Sequence, residues 1–305
     1  MGRFILGRVL GLIPTMFVII TVSFFIIRLA PGSPFSSERA LSPQAQQKLE
    51  AEYGLDKGLG TQYFMYLRNL SRGYLGDSIK YKQRSVNEII ADGFPVTLTL
   101  AAFALVWALL VGISAGVVGA VRQNTVWDYG AMTAAMLGIS IPTFVLGPVL
   151  ALLFALSLYV LPPGGWGSWR HIVLPALTLG TVRAAYIARL TRAGMLEVVG
   201  SDFVRTARAK GLKERLIIWR HMLKGGLLPV VTYLGPAISF MLVGSIVVEK
   251  IFSTPGIGPY LVDATTNRDY FLVMGIVVLE STFLLIMNLL VDLAYAFLDP
   301  RIRYD

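Results

Sequence analysis

Residues 9–27, 95–121 and 225–248 contain no charged side chain, and this constrains the chain more than any other feature. A bilayer core about 30 Å thick needs roughly 20 apolar residues per helical crossing, since hydrocarbon offers the backbone no partner outside its own helix. Two further runs are nearly as clean: 172–188 is interrupted by Arg183 alone, and 270–298 by Glu280 and Asp292. With 55% hydrophobic and 15% charged residues and a mean hydropathy of +0.66, the composition excludes an ordinary soluble globular protein. The expected fold class is an all-α membrane protein.

Residues 129–169 are uncharged for 41 residues, long enough for two crossings, with Pro142 and Pro148 inside. Charge decides the count. If the run crosses once, ending near "LPPGGWGSW", there are six transmembrane helices. The N-terminus, Arg122, residues 189–226 and the C-terminal tail then share one side. That side carries 14 Lys and Arg, against 3 in the short opposite loops, Arg170, Lys250 and Arg268. The asymmetry places both termini and the 189–226 segment in the cytoplasm. Residues 31–95, with eight basic side chains, form a loop long enough to be largely exempt from the rule. The first apolar run exceeds a signal peptide's core, and "RLAPGSPF" offers no small-x-small cleavage site, so it is expected to stay as an anchor.

The chain lacks cysteine, hence disulfides and thiolate metal sites. It has no G-x-x-x-x-G-K-[ST] and no H-E-x-x-H, and its two histidines, His171 and His221, fall on opposite sides of the membrane in this topology. No catalytic residues and no metal site are expected, and a conduit is favoured over an enzyme. The net charge of +9 reads as membrane orientation and contact with anionic lipid headgroups, not nucleic acid. Three stretches organise the chain: 1–30 with span 1, 31–94 as a small packed extracytoplasmic subdomain, and 95–305 as a five-span core with a cytoplasmic loop at 190–226. Between the last two spans, "STPGIGPY" at 253–260 followed by "NRDYF" reads either as a tight outer loop or as a re-entrant gate.

The most basic stretch is "RTARAKGLKERLIIWRHMLKGGLLP" at 205–229. Ser201 and Asp202 suit a helix N-cap and Gly211 a C-terminal stop, giving a helix of about eight residues, too short to stand alone. It must dock on something. Beyond the glycine, Leu216, Trp219, Leu223 and Leu227 form an amphipathic stripe leading into a span that begins near Gly225. From these residues alone, a basic interfacial helix lying on lipid headgroups also fits.

The segment resembles the cytoplasmic coupling loop of ABC-importer membrane subunits, whose pattern is Glu-Ala-Ala, three residues, Gly, then a distal Leu-Pro. Gly211 matches the glycine and Leu228-Pro229 the distal pair. The first three positions read Arg205-Thr206-Ala207 and the Gly-to-Pro distance is longer, both features of the peptide-importer branch. "RLAPGSPF", "FVRTARAKGL", "RHMLK", "LLPVVTYLGP", "STPGIG" and "NRDY", in order, are similar to the B-type permease subunit of oligopeptide and dipeptide importers over essentially the whole chain. The resemblance implies a type I ABC-importer permease fold in a bacterial inner membrane. It also implies a second homologous permease subunit, two cytoplasmic ATPases that hold ATP and Mg, and an extracytoplasmic peptide-binding protein. This chain itself would bind no cofactor. The ATPase-coupling residues are then Arg205, Thr206, Ala207, Arg208, Ala209, Lys210, Gly211 and Leu212.

Charges inside spans point to function. Arg183 and Glu280 lie roughly 14–17 Å into their helices at 1.5 Å per residue and are expected to pair. Asn288 and Asp292 share a face with Glu280, which is expected to look into the bundle and line the translocation path. Pro255, Gly256, Gly258, Arg268 and Asp269 are expected at the outer gate, where the binding protein docks. Within the family, a nickel or other small-solute importer is the alternative. Outside it, an intramembrane enzyme and an ion channel are the rivals.

Overall fold

The computed structural model describes residues 2–32, 34–35 and 43–298; the tail bearing Arg301 and Arg303 lies outside them. Every regular element among the described residues is helical, apart from one isolated antiparallel bridge, Asp77–Ser85. Five helices are long and apolar enough to cross a membrane, or six if one bent pair counts as a single crossing. The chain divides into two compact units, residues 1–97 with 255–285, and 98–254 with 286–305.

The first unit holds α1 (Gly2–Leu29), α2 (Pro43–Glu52), α3 (Leu59–Leu70), the start of α4 (Val86–Val121), α12 (Ile257–Thr266) and the first part of α13 (Tyr270–Leu298). The second apolar run thus enters its helix nine residues before Pro95. A capping box sets the start: the Glu88 amide donates to Ser85 Oγ at 3.2 Å and the Ser85 amide to Glu88 Oε2 at 3.1 Å, satisfying two otherwise orphaned donors. Val86, Ile89, Ile257, Ala264, Leu272 and Ile276 form one core. A second joins Ile20 and Phe24 of α1 to Tyr66 of α3 and Met274 of α13. In a third, Phe35, Ile79 and Tyr270 are buried together with Leu49, Tyr53 and Leu55 packed against them.

In the second unit α7 (Trp169–Val199) is central. It packs against α5 (Val126–Ser140), α6 (Thr143–Leu150), α10 (Leu223–Gly226) and α11 (Leu228–Ile251). Gly112 and Gly116 of α4 meet the Ala184 and Ala188 carbonyls of α7 so closely that a Cβ on either glycine would lie 2.6 Å from the oxygen. This is the small-xxx-small contact that lets helices approach where lipid provides no hydrophobic drive.

Residues 129–169 do not form one straight helix. α5 and the following helical stretch, α6 continued as a π-helix over Ala151–Ser157, meet at 105°. Ile141 is extended, with φ −88° and ψ 115°, as a residue preceding proline is driven to be. Pro142 then lacks the amide that would have continued α5. The 172–188 run lies within a longer helix: α7 continues to Val199, so the first ten residues of the 190–226 loop are helical.

Candidate functional site

Past Gly200 the chain turns into α8 (Asp202–Ala209), the expected eight residues. Ser201 occupies the N-cap position, but its hydroxyl donates back to the Val198 carbonyl at 2.6 Å instead of capping. The helix ends in a Schellman motif: the Gly211 amide donates to the Arg208 carbonyl at 2.9 Å and the Leu212 amide to the Ala207 carbonyl at 3.3 Å. Gly211 has φ +73°, a region that costs an L side chain about 1–2 kcal/mol. α8 docks through Val204 and Ala207, which are buried with Met195 of α7 and with Ile217 and Met222 beyond the glycine. Full burial of Val204 contributes about 1.5–3 kcal/mol, enough to hold a helix that short.

Arg205, Thr206, Arg208, Ala209, Lys210, Gly211 and Leu212 are exposed around this knob. Of the eight coupling candidates, only Ala207 is turned inward. Arg208 makes a forked pair with Glu214, at 2.8 and 3.3 Å, which raises the guanidinium pKa and lowers that of the carboxyl. Glu214 opens α9 (Glu214–Leu216), which runs on as a π-helical turn, Ile217–Met222, and then α10. The expected stripe keeps Trp219, Leu223 and Leu227 on one groove, but the buried side of the segment is a different set. One extra residue per turn breaks the 3.6 period, so Ile217 and Met222 are buried while Leu216 and Trp219 point outward, Trp219 being 63% exposed.

At Leu227 the helix breaks, and α11 begins at Leu228 with Pro229 in its first turn, where a missing amide costs nothing. A Cβ on Gly194 of α7 would overlap the Gly226 carbonyl oxygen and approach Pro229 Cδ to 3.2 Å. Backbone thus meets backbone where the loop returns to the span. No side chain lies between them to yield.

Among the candidates within the spans, Arg183 donates to Tyr233 Oη at 3.3 Å and lies 5.3 Å from the Phe240 ring centroid. Tyr186 stacks obliquely on Tyr233. Asn288 faces α11, where a Cβ on Gly235 would stand 3.0 Å from its Oδ1. Glu280 and Asp292 are partly buried. Arg183, Asn288 and Asp292 belong to the second unit and Glu280 to the first.

"STPGIGPY" is docked on the start of α4. The Ile257 amide donates to the buried Thr97 hydroxyl at 2.9 Å, and a Cβ on Gly93 would crowd the backbone of 256–257. Pro255 is exposed, while Gly256 and Gly258 are buried. Arg268, with φ +57°, lays its guanidinium across the face of Gly32. Asp269 is wholly buried and caps α13, accepting the Leu272 amide at 3.1 Å, while also accepting the Ser78 hydroxyl and the Lys80 amide. It ties the 78–81 turn to the last helix from within. Tyr81, pushed up to about 12 by burial and by Asp263 beside it, donates to that carboxylate at 3.3 Å.

One pair escaped the sequence reading. Arg192 binds Asp128 through two 2.7 Å bonds, joining the first turn of α5 to α7, with Asp128 buried. A signal existed, because Asp128 is the only acid between Asp92 and Glu197, and a lone acid at a span boundary calls for a partner.

The chain matches the family model described as "Binding-protein-dependent transport system inner membrane component" over residues 108–304, and the corresponding N-terminal model over 1–101. It is 49% identical to the "Oligopeptide transport system permease protein OppB" of Salmonella typhimurium, with all of both chains covered. It is 45% identical to the "Dipeptide transport system permease protein DppB" of Bacillus subtilis, over 99% of this chain and 98% of that one. A solved structure of the MetNI methionine ABC transporter in an inward-facing conformation shares the fold at TM-score 0.58 and 16% identity, over 69% of this chain and 96% of that chain. With both models matched and full-length likeness to such permeases, this multi-pass membrane chain belongs to the family of binding-protein-dependent transport system inner membrane components.

Proposed function

We propose that the chain is the membrane-spanning permease subunit of an ATP-driven peptide importer, and that the knob at 201–216 is where it receives force. The supporting observation is the short helix locked by a left-handed glycine, exposed on its basic face, and joined to α7 and α11 by the Gly194–Gly226 backbone contact. In this reading two cytoplasmic ATPases, which hold and hydrolyse ATP with Mg, close on one another and carry the knob with them. Acidic groups on the ATPase receive Arg205 and Lys210, and the apolar tip at Leu212 and Leu216 fills a groove. The displaced segment turns at Leu227 and moves α11 and α7 together, a rigid-element switch between two packed states.

A second, homologous permease chain completes the path. Arg183, Glu280, Asn288 and Asp292 line it on this side. The 31–94 subdomain and the 253–270 segment receive an extracytoplasmic binding protein that delivers oligo- or dipeptides. Both termini and the knob are cytoplasmic, in a bacterial inner membrane.

The test is uptake by the assembled complex in proteoliposomes, with labelled peptide and binding protein outside and ATP inside. Uptake should require ATP and both ATPase copies. Transport by this chain alone without nucleotide makes it a channel, and nickel uptake without peptide uptake moves it to the metal branch.

A further inference from the structure

A groove lies beside Trp219, between α8 and the start of α11. Its volume is about 650 Å³, within the range of sites that hold a discrete small molecule. Phe203 of α8, Trp219, Leu227 and Val231 line it with Arg220 and Lys224, and no carboxylate is among the lining residues. Phe203 is 50% exposed. Leaving a Phe and a Trp uncovered side by side costs burial energy that the fold does not recover internally.

The position along the chain fixes the occupant. Lys224 is the last charge before an uncharged run to Val248, so it marks the depth at which water gives way to hydrocarbon. Arg220 lies four residues earlier and lines the same groove, and Trp219 is of the kind that gathers at that boundary. Leu228 and Val231 belong to the first turns of a helix long and apolar enough to cross a membrane, where acyl chains are the ordinary neighbours. We propose that this groove holds one anionic phospholipid, its phosphate between Arg220 and Lys224 and the start of an acyl chain against Trp219, Leu227 and Val231. Bound there, the lipid would brace the hinge at Leu227 through which the knob reaches α11. The binding step itself does not depend on the import reading.

Native mass spectrometry of the full chain in detergent, titrated with phosphatidylglycerol, tests this. A basic residue at the membrane surface contributes about 1 kcal/mol to such binding, or about fivefold, so Arg220→Gln with Lys224→Gln should weaken it about 25-fold. Arg122→Gln with Arg189→Gln removes the same charge elsewhere and should change it less than about twofold. Trp219→Ala should weaken binding while leaving the charge untouched. Equal losses in both double variants would mean unspecific attraction and overturn the site, as would equal affinity for phosphatidylcholine. So would a groove double variant that keeps the lipid but loses ATPase co-purification, which would assign the groove to a protein partner.

Discussion

Gly211→Val asks most directly whether the knob transmits force. A Cβ at Gly211 meets no atom within 4 Å, so the substitution adds no clash and removes no packing, and its cost lies in the backbone. If Val keeps φ near +73°, the penalty is about 1–2 kcal/mol. If it leaves that region, the two Schellman bonds from Gly211 and Leu212 are lost, at about 0.5–1.5 kcal/mol each. The second route costs about 1–3 kcal/mol, so the cheaper of the two disfavours the native knob by about 1–2 kcal/mol, a factor of roughly 5–30. Gly200 is the control: its Cβ direction is equally open, but its φ is −87°. Gly211→Asn should be tolerated, because Asn enters the left-handed region readily. ATPase co-purification and peptide uptake, measured side by side, should fall together in Gly211→Val and stay near wild type in Gly211→Asn and Gly200→Val. Wild-type values for Gly211→Val would refute the transmission role, and equal losses for Val and Asn would refute the backbone explanation.

Gly194→Ala should uncouple ATP hydrolysis from uptake without detaching the ATPases, since it pries the Gly226 backbone off α7 at an overpacking cost of about 1–3 kcal/mol; retained coupling would show that the seam carries no force. Arg192→Ala should lower thermal stability in detergent more than Asp128→Ala, because it strands a buried carboxylate whereas Arg192 still reaches solvent, with about 3–5 kcal/mol as the scale of breaking such a pair. Arg183→Ala and Tyr233→Phe should each lower uptake, and their double variant should lose less than the sum of the two, since Arg183 donates to the Tyr233 hydroxyl; strict additivity would show that this bond carries nothing. Arg208 holds the Glu214 pKa below its ordinary 4.5, so the pair's contribution is complete above that value and is lost as pH falls through the lower folded value. Hydrogen-exchange protection at Gly211 and Leu212 should drop over that window, and Glu214→Gln should abolish the pH dependence.

The sequence by itself determined the solvent, the helical class and the knob. Uncharged runs of crossing length leave helices as the only structure that satisfies their backbone here, and both Gly211 and the eight-residue length of α8 follow from local chemistry that no distant contact needs to supply. The start of α4 was also legible, in the "SVNE" capping box at 85–88, although apolar content alone suggested Pro95. Tertiary structure decided what depends on partners far along the chain. Asp269 reads as an exposed loop acid until the 78–81 turn folds onto it, and Arg192 as one more basic loop residue until Asp128 arrives from 64 positions away. The Leu216–Trp219–Leu223–Leu227 stripe gave no sign that Ile217 and Met222 are the residues that bury against Val204 and Ala207, because they lie in a π turn. Periodicity marks a face only while the helix stays regular, and here packing set where it did not. The Gly194–Gly226 seam was invisible for a related reason: a glycine states that space is scarce, and only the fold says which backbone occupies it.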